Sequence, residues 1–485
     1  KKQVNIEWVN LKKLFKQLLC FVIEQDNKKI KMKKLLLLLL VALVGCQTTP
    51  EVTKRIRYNA NSPEALVHLE AMDKAFGIMK TLDCDDPRSW YYQGSIHWIP
   101  DSIPNNQLCN SYSSSETDLK LAWDNCTHSE AGAEEVHFLA WHRIYIYHLE
   151  EIIRELSGMD SFALPYWAYT NNNLADKIMP EIFRDSTSNL FEPARWAKLN
   201  QGLPINPETA GSALDLTVLM QYTDYKLFNS NADAAPHGFM HGYIGNANKL
   251  RSPGYDNIIT QDNTRTGLMG IVPTAGFDPI FWMHHSNIDR IYQQWTNSKN
   301  GTLITEQMLD NPAWGYVFFN GKGKKVEYTM GRLRKVLYSL DYNFDDTKVY
   351  EKPGVVPKVR DIILQDEIIP NPSIQVSSTL VSLGSLETPK EYKGKRQIIE
   401  ITVAFNVEPA GIWTVSDNEN TLGYMTFFGA THHAGHSDMS NMPGMKTTKT
   451  FKYEVATSDL HNLTIKENGI SESEFEVIKL DLYSL

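Results

Sequence analysis

The chain is short of positive charge. Its 485 residues carry 48 lysines and arginines against 57 acidic residues, a net charge of −9. The first 45 residues hold ten lysines and three acids, so the remainder carries 38 bases and 54 acids, or −16. A surface of that sign excludes nucleic acid or an anionic membrane as the partner of the folded part. No apolar run is long enough to cross a bilayer. No internal repeat is visible, which argues against a solenoid or propeller array. Cysteine is scarce, at five residues, and two of these, Cys20 and Cys46, precede the expected fold. Cys84 and Cys109 lie 25 apart in a polar stretch and can form a disulfide, which suits an oxidising compartment. Cys126 is left odd.

The N-terminus reads as an export signal. Residues 32–46, M-K-K-L-L-L-L-L-L-V-A-L-V-G-C, put a short basic start before a short apolar run and a small residue. The ending Leu43-Val44-Gly45-Cys46 resembles the lipobox of bacterial lipoproteins, in which the cysteine is lipidated. The expected destination is the periplasm or the outer membrane and cell surface, with attachment through Cys46. Residues 1–31 do not begin with methionine and read as upstream sequence outside the fold.

Aromatic residues are plentiful, at 11%. Residues 47–62 read as a polar tether, and from 63 to 350 the helical period dominates. His142, Tyr145, Leu149, Ile152 and Leu156 recur at alternating steps of three and four and share one face. Phe281, His285, Ile288, Tyr292 and Trp295 do the same after Pro279. Residues 351–373, with Pro353, Pro357, Pro370 and Pro372, read as a linker. Beyond it the apolar pattern alternates, as in Q-I-I-E-I-T-V-A-F-N-V and F-E-V-I-K-L-D-L-Y. The expected fold is a mainly α catalytic domain, a helix bundle around a metal site, followed at 374–485 by a C-terminal antiparallel β-sandwich.

The fourteen histidines are unevenly placed. His237 and His241, four apart, would share one side of a helix with Cβ atoms about 6 Å apart, suited to one metal ion. Of the adjacent His284 and His285, the second lies on the apolar stripe and the first is turned about 100° away. His285 is therefore the expected third ligand. Three neutral imidazoles suit copper, zinc or iron. His97, His128, His137 and His142 are candidates for a second trio.

Taken in order, the C-x-H around Cys126, F-L-A-W-H-R-I-Y, H-G-F-M-H and D-P-I-F-W-M-H-H-S-N-I-D-R resemble the type-3 copper proteins: tyrosinases, catechol oxidases and molluscan haemocyanins. The resemblance covers about residues 55–345, and Tyr342-Asn343-Phe344 is similar to the family's closing Tyr-x-Tyr. It implies two coppers per chain, the first on His97, His128 and His142 and the second on His237, His241 and His285. It implies oxidation of an o-diphenol to an o-quinone with O2 as co-substrate. His137 is the rival to His128, which is preferred because Cys126 stands two residues before it, as in C-x-H members where the pair forms a thioether. Phe281, in the register of His285, is expected to be a gate ring over the substrate. Asp289, one turn after His285, is a candidate to hold a ligand's free N–H.

Paired Cu(I) ions answer a specific difficulty, that triplet O2 reacts slowly with closed-shell phenols; two metals about 3.5–4 Å apart can deliver two electrons together. Two departures from the family pattern bear on substrate. Its P-Y-W-D appears as Pro165-Tyr166-Trp167-Ala168, which loses an acid. The residue after His237 is Gly238, where many monophenol-hydroxylating members have an asparagine that orients a water base. Catechols are therefore the expected substrates, unless a group such as Asp233 supplies the base. The alternatives are a reversible O2 carrier like haemocyanin and a copper-handling protein. The latter is suggested by His432, His433, His436, Met439, Met442 and Met445, whose imidazoles and thioethers select soft Cu(I) within fourteen residues.

Overall fold

The computed structural model describes residues 54–97, 118, 136–206, 213–245, 267–305, 316–328, 330–346, 367–369, 374–376, 380–386, 396–409, 411–430, 446–455, 460–468 and 473–484. The chain divides into Lys1–Thr53 and Lys54–Leu485, and every described residue belongs to the second unit. The signal-like segment with Cys46, the Cys126–His128 pair, Cys109 and the His/Met-rich stretch from His432 to Met445 lie outside the described residues.

Helices α1 (Leu66–Met79), α2 (Trp90–Ser95), α3 (His137–Ser157), α4 (Tyr225–Ala232), α5 (Phe239–Gly245), α6 (Ile280–Asn297) and α7 (Met330–Leu337) carry the first part of the chain. The longest, α3, ends at Gly158, whose φ of 76° lets its N–H return to the Arg154 carbonyl. Its expected inner stripe is buried at His142, Tyr145, Leu149 and Ile152, and Leu156 packs at the edge of the core. Helix α6 departs from a one-sided pattern. From Ile280 to Tyr292 every residue is buried, so both sides of the helix face protein. Asp278 accepts from the Ile280 amide (3.1 Å) and is gripped by Arg195 (Nη2 to Oδ1, 2.6 Å), which sets the start of this helix.

Small strands supplement the helices. A hairpin pairs β2 (Tyr316–Phe319) with β3 (Lys325–Tyr328). Strand β1 (Arg55–Arg57) runs parallel to β4 (Tyr342–Phe344), with Arg57 opposite Phe344. Residues 55–57 therefore belong to the fold and not to the expected tether. This pairing carries Arg57 into the interior, where it bonds Glu150 (2.8 Å) and Asp289 (2.8 Å).

The C-terminal part forms two antiparallel sheets. One orders β11 (Thr447–Val455), β8 (Gln397–Phe405) and β13 (Phe475–Ser484), with β5 (Glu367–Ile369) and β6 (Ile374–Val376) both paired to β13. The other orders β10 (Asn420–Met425), β9 (Trp413–Asp417), β12 (Leu460–Glu467) and β7 (Leu380–Leu386). One apolar cluster draws Ile399, Ile401 and Val403 from the first sheet and Val415, Leu463 and Ile465 from the second. Strand β5 falls within the expected linker. The sheets dock on the helical part through hydrogen bonds to main-chain carbonyls: the Tyr222 hydroxyl to Leu422 (2.7 Å), the Asn231 amide to Lys452 (2.9 Å) and the Thr426 hydroxyl to Ala234 (2.8 Å).

Candidate metal centre

Six buried histidines converge between α2, α3, α5 and α6: His97, His142, His237, His241, His284 and His285. His142 comes from the middle of α3 and donates from Nδ1 to the Phe138 carbonyl one turn back (2.8 Å). His97 follows α2 and donates to the Val272 carbonyl (2.8 Å). Helix α2 comes this close because residue 94 is glycine; a Cβ there would lie 2.6 Å from the Phe277 ring. His237 sits at a break between α4 and α5, where Ala235 turns extended (φ −146°, ψ 128°). Its Nδ1 lies 3.1 Å from the Asp233 carbonyl and 2.9 Å from the Asp233 carboxylate. His241, on α5, donates to the Met269 carbonyl (2.9 Å).

This anchoring decides the tautomer. A carbonyl can only accept, so Nδ1 carries the proton in His97, His142, His237 and His241, and Nε2 holds the lone pair. The ring centroids then close up: His237 to His241 at 4.5 Å, His237 to His285 at 5.0 Å, and His142 stacked on His285 at 4.3 Å and 6°. Two donor sets result, each with its nitrogens within 4.8 Å of one another: His97, His142 and His285, and His237, His241, His284 and His285. Burial, reinforced by neighbouring imidazoles, pushes His241, His284 and His285 well below the usual histidine range and keeps them neutral, as metal ligation requires. Nε2 of His241, Nε2 of His284 and both nitrogens of His285 are buried without a hydrogen-bond partner. A buried nitrogen left so costs about 1–3 kcal/mol. A cluster of such atoms facing one another suits a soft-to-intermediate cation, and the all-imidazole donor set fits copper.

Comparison with known proteins agrees with this chemistry. The common central domain of tyrosinase matches residues 87–215 and 184–298. Tyrosinase HcTyr1 of Hahella sp. (strain CCB-MM4) is 27% identical over 351 residues, covering 67% of this chain and 70% of that protein. Chloroplastic polyphenol oxidase A1 of Vicia faba is 26% identical over 347 residues, covering 67% of this chain but only 53% of its own. Among solved structures, latent apple tyrosinase superposes with a TM-score of 0.60 at 19% identity, over 89% of this chain and 98% of that one. Residues 87–298 carry the tyrosinase central domain, and the chain is similar to the type-3 copper tyrosinases and polyphenol oxidases. That family consists of copper oxidoreductases that act on phenols with O2 and bind a dinuclear copper centre.

Against this type-3 frame, five of the six expected copper ligands are brought together, and the sixth, His128, lies outside the described residues. His137 is in neither donor set. Its Nδ1 is bound to the Tyr316 hydroxyl (2.8 Å), and burial lowers it to about 4. Among the described residues, Asp289 holds no ligand histidine. It accepts from Arg57 (2.8 Å), Arg143 (2.5 Å) and the Tyr342 hydroxyl, and so ties β1, α3 and β4 to α6. Its neighbour Arg290 pairs instead with Asp346. Phe281 is fully buried, its ring 4.3 Å from His285 and 4.7 Å from His97. Cys84 is disulfide-bonded, and its expected partner Cys109 lies outside the described residues.

Two residues of the site escaped the sequence reading. His284 was set aside because a one-sided helix would turn it away, and α6 is buried on both sides. Phe428 arrives from the C-terminal part. Its ring stacks on His241 (4.2 Å, 15°) and meets His237 edge-on at 6.0 Å. The available signal was parity. Met425 and Phe427 point into the sheet core, which leaves Phe428 to point the other way. Gly238 belongs to the same contact: a Cβ there would lie 2.8 Å from Thr426 Oγ1 and 3.3 Å from Phe428 Cβ.

Proposed function

We propose that this chain oxidises o-diphenols to o-quinones, with one copper on His97, His128 and His142 and the other on His237, His241 and His285. The observation that carries the reading is the pair of buried donor sets meeting at His285, with the outer nitrogens of His97, His142, His237 and His241 anchored and the donor nitrogens of each set within 4.8 Å of one another. Copper held there would supply paired one-electron chemistry between phenol and O2. The chain's own part is orientation and exclusion of water. Backbone carbonyls of Phe138, Val272, Asp233 and Met269 fix the imidazoles, and Phe281 forms an apolar wall and is the ring assigned to the substrate. Two diphenols give up four electrons and four protons, which convert one O2 to two waters.

Catechols are the proposed substrates. Gly238 offers no side chain to orient a water base, and the Asp233 carboxylate is engaged with His237 Nδ1 (2.9 Å) and so is not free to serve as one. Oxygen uptake by the copper-loaded chain, with catechol, tyrosine and o-aminophenol in parallel, tests this. Fast uptake with catechol and slow, lagging uptake with tyrosine are expected; comparable turnover of tyrosine without a lag overturns the preference.

The C-terminal sheets, read as a sandwich, act in this proposal as a cover that brings Phe428 over His241. Latent apple tyrosinase shares the fold and extent of this arrangement. An aromatic stack contributes about 0.5–1.5 kcal/mol. Phe428→Ala should therefore raise kcat/KM for catechol by about two- to tenfold. An unchanged or lower value would remove Phe428 as a cover.

A further inference from the structure

A line of aromatic rings runs from the metal centre to the surface. It starts at His142, whose ring lies 4.8 Å from Trp141. Trp141 is 4.8 Å from Tyr145 and 5.2 Å from Phe318 on β2. Phe318 stacks on His148, further along α3, at 5.6 Å and 28°. His148 lies 5.7 Å from Tyr328 on β3. Trp141, Tyr145 and Phe318 are fully buried, whereas Tyr328 is half-buried.

The outer end of this line is built for proton transfer. The Tyr328 hydroxyl lies 2.8 Å from His148 Nε2, and His148 Nδ1 lies 2.7 Å from the Glu151 carboxylate. A carboxylate only accepts, so Nδ1 carries the proton, Nε2 holds the lone pair and the tyrosine donates. Burial, with the Glu151 charge beside it, pushes the Tyr328 phenol above its ordinary range and keeps it protonated. A phenol is much more easily oxidised when its proton can pass to a base within hydrogen-bond reach. The inner oxidisable rings are not so placed. Trp141 Nε1 is buried with no hydrogen-bond partner, and the Tyr145 hydroxyl donates to the Gln93 carbonyl, a far weaker base than imidazole.

We propose that Tyr328 is a redox-active tyrosine, the exit of a path through Trp141, Phe318 and His148 that carries oxidising equivalents out of the copper site when no diphenol is bound. This rests on the dicopper reading above. One electron leaves Tyr328 and passes by way of Trp141 to the O2-loaded centre, which is reduced by that electron. The phenolic O–H bond breaks and its proton goes to His148 Nε2. A neutral tyrosyl radical then stands beside an imidazolium paired with Glu151. A dissolved phenol returns the electron, and His148 returns the proton. That phenol loses its own proton to solvent and departs as a phenoxyl radical. The effect is to spare the imidazoles around the metals, which are otherwise the nearest oxidisable groups.

The test uses the full copper-loaded chain, given O2 or hydrogen peroxide without a phenol, frozen and examined by electron paramagnetic resonance. The wild type should show a tyrosyl radical, identified by the narrowing of its signal when the chain carries ring-deuterated tyrosine. Tyr328→Phe removes only the hydroxyl. It should lose the signal, keep wild-type catechol oxidation, and inactivate several-fold faster during substrate-free incubation. Peptide mass spectrometry should then find more oxidised histidine at the metal site than in the wild type. Glu151→Gln takes away the charge that stabilises the imidazolium; it should weaken the signal, and it decides the matter if Tyr328→Phe fails to fold. A wild type that oxidises catechol yet gives no tyrosyl signal overturns the proposal, as does a signal that both variants retain in full. A wild type that binds no copper overturns the dicopper reading instead, so the two failures are distinguishable.

Discussion

Replacing His285 with alanine should abolish catechol-dependent oxygen uptake. His285 is the residue common to both donor sets: its ring stacks on His142 at 4.3 Å and lies 5.0 Å from His237 and 5.6 Å from His241. Both its nitrogens are buried without hydrogen bonds. Transfer of two electrons together needs both metals, and loss of one leaves the other with a chemistry it cannot complete. Members of such a unit are not additive, and one deletion costs nearly as much as removing the whole. The expected loss is at least about a thousandfold, with copper content falling below two per chain. His142→Ala should behave alike, whereas His137→Gln, at a histidine bound to Tyr316 and outside both sets, should keep its copper. Oxygen electrode traces and metal analysis on the same preparations check this. Full uptake by His285→Ala would sink the assignment.

Asp289→Ala should lower stability by about 3–5 kcal/mol, the usual cost of leaving buried charge without its partner. One carboxylate receives Arg57, Arg143 and the Tyr342 hydroxyl, and all four residues are buried. Arg57 retains Glu150 (2.8 Å), but Arg143 has no other carboxylate among the described ion pairs. Arg143 follows His142 directly, and Asp289 follows His285 by one turn. The broken pair therefore also loosens the register between the two helices that carry the metal site. Urea unfolding of the chain measures the loss, and Asp289→Asn, which retains hydrogen-bonding capacity, should lose less. A shift below about 1 kcal/mol would show that the guanidinium groups find water or other partners.

The legible part of this protein was local. Period and punctuation located α3, α6 and the strands β8, β11 and β13, because each helix carries an apolar stripe and each strand alternates along its own length. The spacing of the histidines pointed to a metal site that copper, zinc or iron could fill, and the resemblance of the surrounding motifs to type-3 copper proteins implied copper. The roles of Asp289 and Arg57 were not legible. Arg57 stood in what read as a polar tether, and only the pairing of β1 with β4 carries it to an acid 232 residues away.

The sequence by itself determined most element types and the histidine-bearing segments suited to a metal, because periodicity, residue type and spacing are properties of the chain; the resemblance of those segments to type-3 copper proteins added copper. Tertiary structure decided which atoms face the histidine cluster. His284 joins the cluster because α6 is enclosed on both sides, a fact about its neighbours and not about its own pattern. Phe428 covers His241 because two sheets formed far along the chain dock against the helices, and Gly238 is small because that docking leaves no room for a Cβ. Burial on all sides and contact between distant segments depend on how elements pack, and that information is held in the three-dimensional arrangement alone.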